Sequence, residues 1–243
     1  MRIDELTVDP TNDFSLDKAV IFHDSLNPKL FADNKMKPEI REGLLEIAKH
    51  FEEFIGIPLK VVDITVSGSN AAFTYTSQSD IDLHIVVDVP DGEEYAQLLD
   101  AKKNVYNAKH DIKVKDIDVE LYAQDSTQEH HSLGIYSVMN DEWVAEPTRQ
   151  DITIDDQDVR SKYKNYRDRI RVVLKQDDMA VIEDMWQDLK RMRKAGLSSK
   201  DAEFSVENLV FKMLRNQGWL EKLDQHTNDI TDKQLSIEQR NLQ

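Results

Sequence analysis

The chain has no cysteine in its 243 residues. Disulfides and thiolate metal sites are therefore excluded, and the composition agrees with a reducing compartment. Positive charge is also scarce. Lys and Arg number 31 against 47 Asp and Glu, for a formal net charge of −16. Affinity for nucleic-acid phosphates comes from Lys and Arg, so nonspecific binding of long nucleic acid is disfavoured, and the acidity reads first as an aid to solubility. No apolar run approaches the roughly 18–20 residues that span a bilayer. The opening Met1-Arg2-Ile3-Asp4-Glu5-Leu6 lacks the apolar core of a signal peptide. These absences lead us to expect a cytoplasmic protein with no membrane partner. Internal repeats and low-complexity tracts are absent too.

What is present changes character partway along. Residues 1–150 hold 14 Lys and Arg against 29 Asp and Glu, whereas residues 151–243 hold 17 against 18. Residues 1–36 read as an irregular N-terminal arm, with a turn-type cluster at Asp9-Pro10-Thr11-Asn12-Asp13. Pro38 suits a first helical turn, and Ile40, Leu44, Ile47, Phe51 and Phe54 fall on one stripe, so a helix is expected over 38–54. Strands are expected over 59–66, 81–87, 114–123 and 133–139. A turn at Asp91-Gly92 and a helix over 93–108 lie between the second and third. After Pro147 the pattern turns helical, over 155–177, 179–195 and 203–216, with Gly196 as a helix stop. The order predicts an α+β fold: a mixed β-sheet with flanking helices over 37–150, followed by a C-terminal helical domain over 151–243.

The chemistry concentrates between residues 68 and 120. Gly68 has no Cβ, so its backbone can approach an anion closely. Ser69 adds a hydroxyl and a further N–H to such a phosphate nest. Asp80 and Asp82 are two apart at the start of a predicted strand, and their side chains leave the same face. Carboxylates gathered on one face repel unless a cation joins them, and hard oxygen ligands suit Mg²⁺. Two-metal phosphoryl chemistry wants a third carboxylate. The strand over 114–123 offers Asp116, Asp118 and Glu120, alternating with Ile117, Val119 and Leu121.

Other polar residues carry two readings. Ser79 is either a phosphate donor or a partner for its own turn. His84 is first a partly buried histidine bonded to backbone, and second a phosphate or carboxylate contact. His130 and His131, adjacent in an extended segment, point oppositely and make a poor metal pair. The stretch 160–175 carries Arg160, Lys162, Lys164, Arg167, Arg169, Arg171 and Lys175, with Tyr163 and Tyr166 among them. It reads first as a solvated face and second as a surface for RNA or nucleotide phosphates.

Gly-Ser, a gap, Asp-x-Asp, then a hydrophobic–acid–hydrophobic strand resembles the DNA polymerase β-type nucleotidyltransferase superfamily. The whole chain also resembles predicted nucleotidyltransferases commonly encoded by bacteriophages. That closer likeness lies in Leu26-Asn27-Pro28-Lys29-Leu30, Gly68-Ser69-Asn70-Ala71, Ser79-Asp80-Ile81-Asp82-Leu83-His84, Val119-Glu120-Leu121-Tyr122, Gly134-Ile135-Tyr136-Ser137 and Phe204-Ser205-Val206-Glu207-Asn208. The resemblance implies that Gly68 and Ser69 hold the β- and γ-phosphates of an NTP. It implies that Asp80 and Asp82 bind two Mg²⁺ ions, with Mn²⁺ as a substitute. A third carboxylate would serve the acceptor hydroxyl, which attacks the α-phosphate and expels pyrophosphate. Most relatives use Asp there, which favours Asp118; the likeness at Val119-Glu120-Leu121-Tyr122 favours Glu120. Glu120 is the choice and Asp118 the reserve. The acceptor is a small molecule, an RNA end or a protein side chain. A phage origin would place the protein in the host cytoplasm. Two alternatives keep the same site: pyrophosphate transfer, as in alarmone synthetases, and a catalytically silent nucleotide-binding module.

Overall fold

The computed structural model describes residues 14–89, 93–128, 132–149 and 152–236. The cluster at 9–13, the Asp91-Gly92 turn and the pair His130-His131 lie outside the described residues. By its contacts the chain divides into two compact units, one of Ile21–Asp151 and one of Ile152–Gln243 joined by the residues before Ile21. The stretch expected as one arm over 1–36 is thus shared between the two units.

The first unit is α+β. It opens with a two-residue hairpin, β1 (Phe31–Ala32) and β2 (Lys35–Met36), turned by Asp33 and Asn34 at φ 48° and 63°. Short polar residues adopt that left-handed turn at low cost. Helix α1 (Pro38–Ile55) follows and buries Ile40, Leu44, Ala48, Phe51 and Ile55, a stripe spaced by three or four residues. Gly56, at φ 72°, caps it in the left-handed conformation. The strands β3 (Val61–Ser67), β4 (Ile81–Val87), β5 (Lys113–Val114), β6 (Ile117–Asp125), β7 (Ile135–Ser137) and β8 (Glu142–Ala145) form one sheet in the order β5-β6-β4-β3-β7-β8. The sheet is mixed. β4 and β6 are parallel, with helix α2 (Glu93–Lys109) between them in sequence, and the other pairs are antiparallel.

One face of this sheet is apolar. Ile64, Val66, Ile81, Leu83, Ile85 and Leu121 are nearly or fully buried in one cluster with Leu44 and Phe51 of α1 and Leu99 and Tyr106 of α2. Each such side chain contributes about 1.5–3 kcal/mol. Period-two alternation then forces Thr65, Ser67, Asp82, His84, Glu120 and Tyr122 onto the other face. The expected single strand over 114–123 is in fact a hairpin. Lys115 and Asp116, at φ 51° and 63°, turn β5 into β6. Asp116 therefore sits in a turn and does not share the strand face of Asp118 and Glu120.

The second unit is helical: α3 (Asp156–Val173), α4 (Met179–Leu197), α5 (Val206–Asn216) and α6 (Trp219–Leu235). Asp155, Asp178 and Ser205 cap the first three by accepting bonds from backbone N–H groups of their first turns. Gly196 does not stop α4 but lies inside it. A β-carbon there would come within 2.7 Å of Glu207 Cβ, so glycine lets the start of α5 pack closely. Helix α6 is not expected from sequence. It buries only Trp219, Leu223 and Ile230 in 17 residues, too sparse a stripe to read. Among the described residues no helix is long and apolar enough to cross a membrane.

Candidate active site

Strand β3 ends at Ser67 and delivers Gly68, which takes φ 74° and ψ −162°. Only glycine adopts that conformation cheaply. It also has no room for a side chain: a β-carbon would overlap Asp82 Oδ2 and lie 3.1 Å from its carboxyl carbon. The carboxylate of Asp82 therefore packs directly against the glycine turn. A short 3₁₀ turn over Ser69–Ala71 follows.

Two buried asparagines hold that turn to the start of β4. Asn70 is fully buried; its side-chain amide donates to the carbonyls of Ser79 (3.0 Å) and Asp80 (2.7 Å) and its oxygen accepts from Asn27 (2.8 Å). Asn27, itself buried, also accepts from the Lys29 N–H at 3.0 Å. Ser69 donates to the Ser79 hydroxyl at 2.7 Å, and that hydroxyl also accepts from the Thr76 N–H at 2.9 Å. Ser79 thus serves its own turn and at the same time touches the Gly-Ser segment.

The parallel pairing of β4 and β6 sets Asp82 beside Glu120 and His84 beside Tyr122. Neighbouring strands lie about 4.8 Å apart, so each pair shares one face at close range. Antiparallel pairing puts Ser67 on the other side of Asp82. A hydrogen bond of 3.2 Å joins His84 Nε2 to the Ser67 hydroxyl, and the imidazole stacks on Tyr122 at 4.8 Å between centroids. The expected partner of this histidine is backbone; the bond found goes to a side-chain hydroxyl and the ring lies on an aromatic neighbour. Asn107 of α2 fixes β6 next to Glu120 by donating to the Leu121 carbonyl (2.9 Å) and accepting from its N–H (3.2 Å).

Asp118 has a different environment. It is exposed and pairs with Lys113 across the β5–β6 hairpin. With Asp80 it lines a polar cavity of about 400 Å³, which His23, Lys29 and Tyr75 also border. His23 stacks on Tyr75, centroids 3.7 Å apart, and its Nε2 bonds the Tyr75 carbonyl at 2.8 Å. The structure thus brings Gly68, Asp82 and Glu120 together and links Ser69 to Ser79. It places Asp80 and Asp118 at the edge of that cavity. Among the described residues no group of three His, Asp or Glu side chains lies close enough to hold a metal ion. The donor chemistry, carboxylates and hydroxyls beside a glycine turn, suits a hard divalent ion.

Sequence reasoning did not assign Asn27, Asn70, Asn107 or Ser132 a place here. The Ser132 hydroxyl accepts a 3.2 Å bond from the Gly68 N–H. Asn27 and Asn70 fall in stretches that carry the family likeness; Asn107 and Ser132 leave no signal in the pattern of the chain.

The basic stretch of α3 belongs to the helical unit. Arg160 meets Asp156, Lys162 meets Glu207, Arg169 meets Asp188, and Arg171 lies 4.0 Å from Asp168. Arg167 is buried and donates twice to Asp168. Tyr163 is buried and accepts from the Trp219 indole N–H at 3.2 Å, so it packs the helix bundle. The hydrogen bond from Lys162 holds the Glu207 carboxyl below its ordinary range.

A family model described as a nucleotidyltransferase domain matches residues 44–134, under half of the 243-residue chain. The matched segment runs from α1 to the threshold of β7 and contains Gly68, Ser69, Asp80, Asp82, Asp118 and Glu120. It supports the polymerase β-type superfamily and nucleotidyl transfer as the general chemistry. Neither the curated proteins nor the solved structures contain a match to the chain.

Proposed function

We propose that the protein is an Mg²⁺-dependent nucleotidyltransferase that moves NMP from an NTP to a hydroxyl acceptor and releases pyrophosphate. The observation that carries this reading is the Asp82 carboxylate packed against Gly68, with Glu120 in register beside it, inside the segment that matches the nucleotidyltransferase domain.

In this reading Gly68, lacking a side chain, lets the β- and γ-phosphates approach the turn, and Ser69 and Ser79 contact them. Asp80, Asp82 and Glu120 would hold Mg²⁺, one ion or two, with Mn²⁺ as a substitute. The metal would neutralise charge on the phosphate and on the reacting oxygens. Glu120, with Asp118 in reserve, takes the proton of the acceptor hydroxyl. The acceptor oxygen then forms a bond to the α-phosphorus, the bond from that phosphorus to the bridging oxygen breaks, and pyrophosphate leaves with the electron pair. Asn70 and Asn107 keep the two carboxylate-bearing strands in place during this exchange. The cavity beside Asp80 and Asp118 gives an acceptor room to approach. Catalysis is assigned to residues 37–150, with 151–243 as a helical domain. The acceptor is a small molecule, an RNA end or a protein side chain. Kinship with phage-encoded nucleotidyltransferases, and a cytoplasmic location, belong to the same proposal.

The test is incubation of the full chain with each labelled NTP and Mg²⁺, following pyrophosphate release and label transfer. Activity in the wild type that is lost in Asp82→Asn supports the assignment. Activity unaffected by that change rejects the roles given to the carboxylates.

A further inference from the structure

The glycine turn has a second wall that the sequence motif does not include. The segment leading into β7 lies flat against it. A β-carbon on Gly134 would overlap the Ala71 carbonyl oxygen and sit 3.0 Å from Pro147 Cβ, so this segment is held close to the turn. Two residues earlier, the Ser132 hydroxyl oxygen accepts the Gly68 N–H at 3.2 Å. The backbone donor that a phosphate nest would use at Gly68 is thereby already engaged. A serine that accepts through a lone pair still has its own proton to donate. The N–H bond polarises that proton, so the pair Gly68–Ser132 moves donor strength outward from the turn to a side chain.

We propose that Ser132 is a phosphate-binding residue of the nucleotide site, donating its O–H to a β- or γ-phosphate oxygen; the proposal rests on the nucleotidyltransferase reading. Ser132 would then add a hydroxyl donor to the turn that carries Asp82, where the Ser69 proton is directed at the Ser79 hydroxyl.

Calorimetric binding to the full chain with Mg²⁺ tests it, comparing nonhydrolysable analogues of the four NTPs with the corresponding NMPs. Ser132→Ala should weaken the NTP analogue about tenfold, the worth of one hydrogen bond to a charged oxygen. It should leave NMP binding unchanged, because NMP has no β- or γ-phosphate. Ser132→Thr, which keeps the hydroxyl, should restore NTP affinity. A residue that merely props up the turn would lose both ligands equally, and that result overturns the proposal, as does no loss of either. If NTP binds to wild type but equally well to Ser132→Ala, only the role of Ser132 falls. If wild type binds no NTP, the nucleotide reading falls and takes this role with it.

Discussion

In the α/β unit Asp82 and Glu120 stand side by side on adjacent strands, whereas in the helical unit Glu207 meets Lys162, Asp188 meets Arg169 and Asp168 meets Arg167. The two arrangements have different energetics. Of the helical unit's pairs, Lys162–Glu207 and Arg169–Asp188 join neighbouring helices, and partly exposed pairs of that kind contribute about 0–1 kcal/mol each. Like charges in register repel and raise the free energy of the fold until a cation arrives. Three acids elsewhere in the α/β unit meet bases: Asp88 meets Lys60, Asp118 meets Lys113 and Asp141 meets Lys35. At the candidate site the register sets Glu120 beside Asp82, whose carboxylate is pressed against Gly68.

Removing a charge from the site should affect activity and stability in opposite directions. Asp82→Asn is expected to lower pyrophosphate release on the order of 100-fold or more, while its melting temperature stays equal to or above that of wild type. A variant that both loses activity and melts early would make Asp82 a structural residue and erase the contrast between the units.

Next in size is the choice of third carboxylate. Glu120→Gln should lower turnover by about 100-fold, whereas Asp118→Asn, which breaks only an exposed pair with Lys113, should leave it within about threefold. The reverse ranking in the same pyrophosphate assay would move the role to Asp118.

Gly68→Ala tests the backbone beneath the acids. The left-handed φ of 74° and the Asp82 carboxyl at the Cβ position both oppose a methyl group. We expect a loss of about 1–3 kcal/mol from the backbone conformation, read from the midpoint of urea unfolding. Nucleotide turnover should fall with it. An unchanged midpoint would mean that the turn relaxes freely.

The smallest effect belongs to the helical unit. Lys162 holds the Glu207 carboxyl below its ordinary pKa of 4.5 in the folded state. A depressed carboxylate stabilises fully above the unfolded value and loses that contribution as pH falls through the folded value. Wild type should therefore melt slightly above Glu207→Gln at neutral pH, and the gap should close on acidification below the ordinary carboxylate range. A gap that persists in acid would assign the difference to packing and not to charge.

Much of this was legible in the chain because it depends on local periodicity. The span of β4 over 81–87 follows from Ile81, Leu83, Ile85 and Val87 at every second position, with Asp82 and His84 between the first three. The span of α1 follows from its stripe and from Pro38 and Gly56. The β1–β2 hairpin was hidden because two-residue strands have no period to read; their evidence is the Asp33-Asn34 turn. The same kind of turn at Lys115-Asp116 broke an apparent strand into two and removed Asp116 from the candidate face. Gly196 misled as a helix stop because a glycine used for close helix packing looks the same in sequence as a glycine used for a cap.

The sequence by itself determined which residues alternate, and hence that Asp82, His84 and Glu120 lie opposite the apolar face of their strands. Alternation is set by backbone geometry and needs no partner. Register was decided only in three dimensions. Sliding β6 by two residues along β4 would keep every side chain on its face and yet set Asp118, not Glu120, beside Asp82. Packing of α2 through Asn107 and the hydrogen-bond ladder to β4 select one register from those equivalents. The meeting of Ser132 with Gly68, 64 positions apart, has the same origin: contacts between distant segments are chosen by how whole elements pack, a quantity that no local pattern encodes.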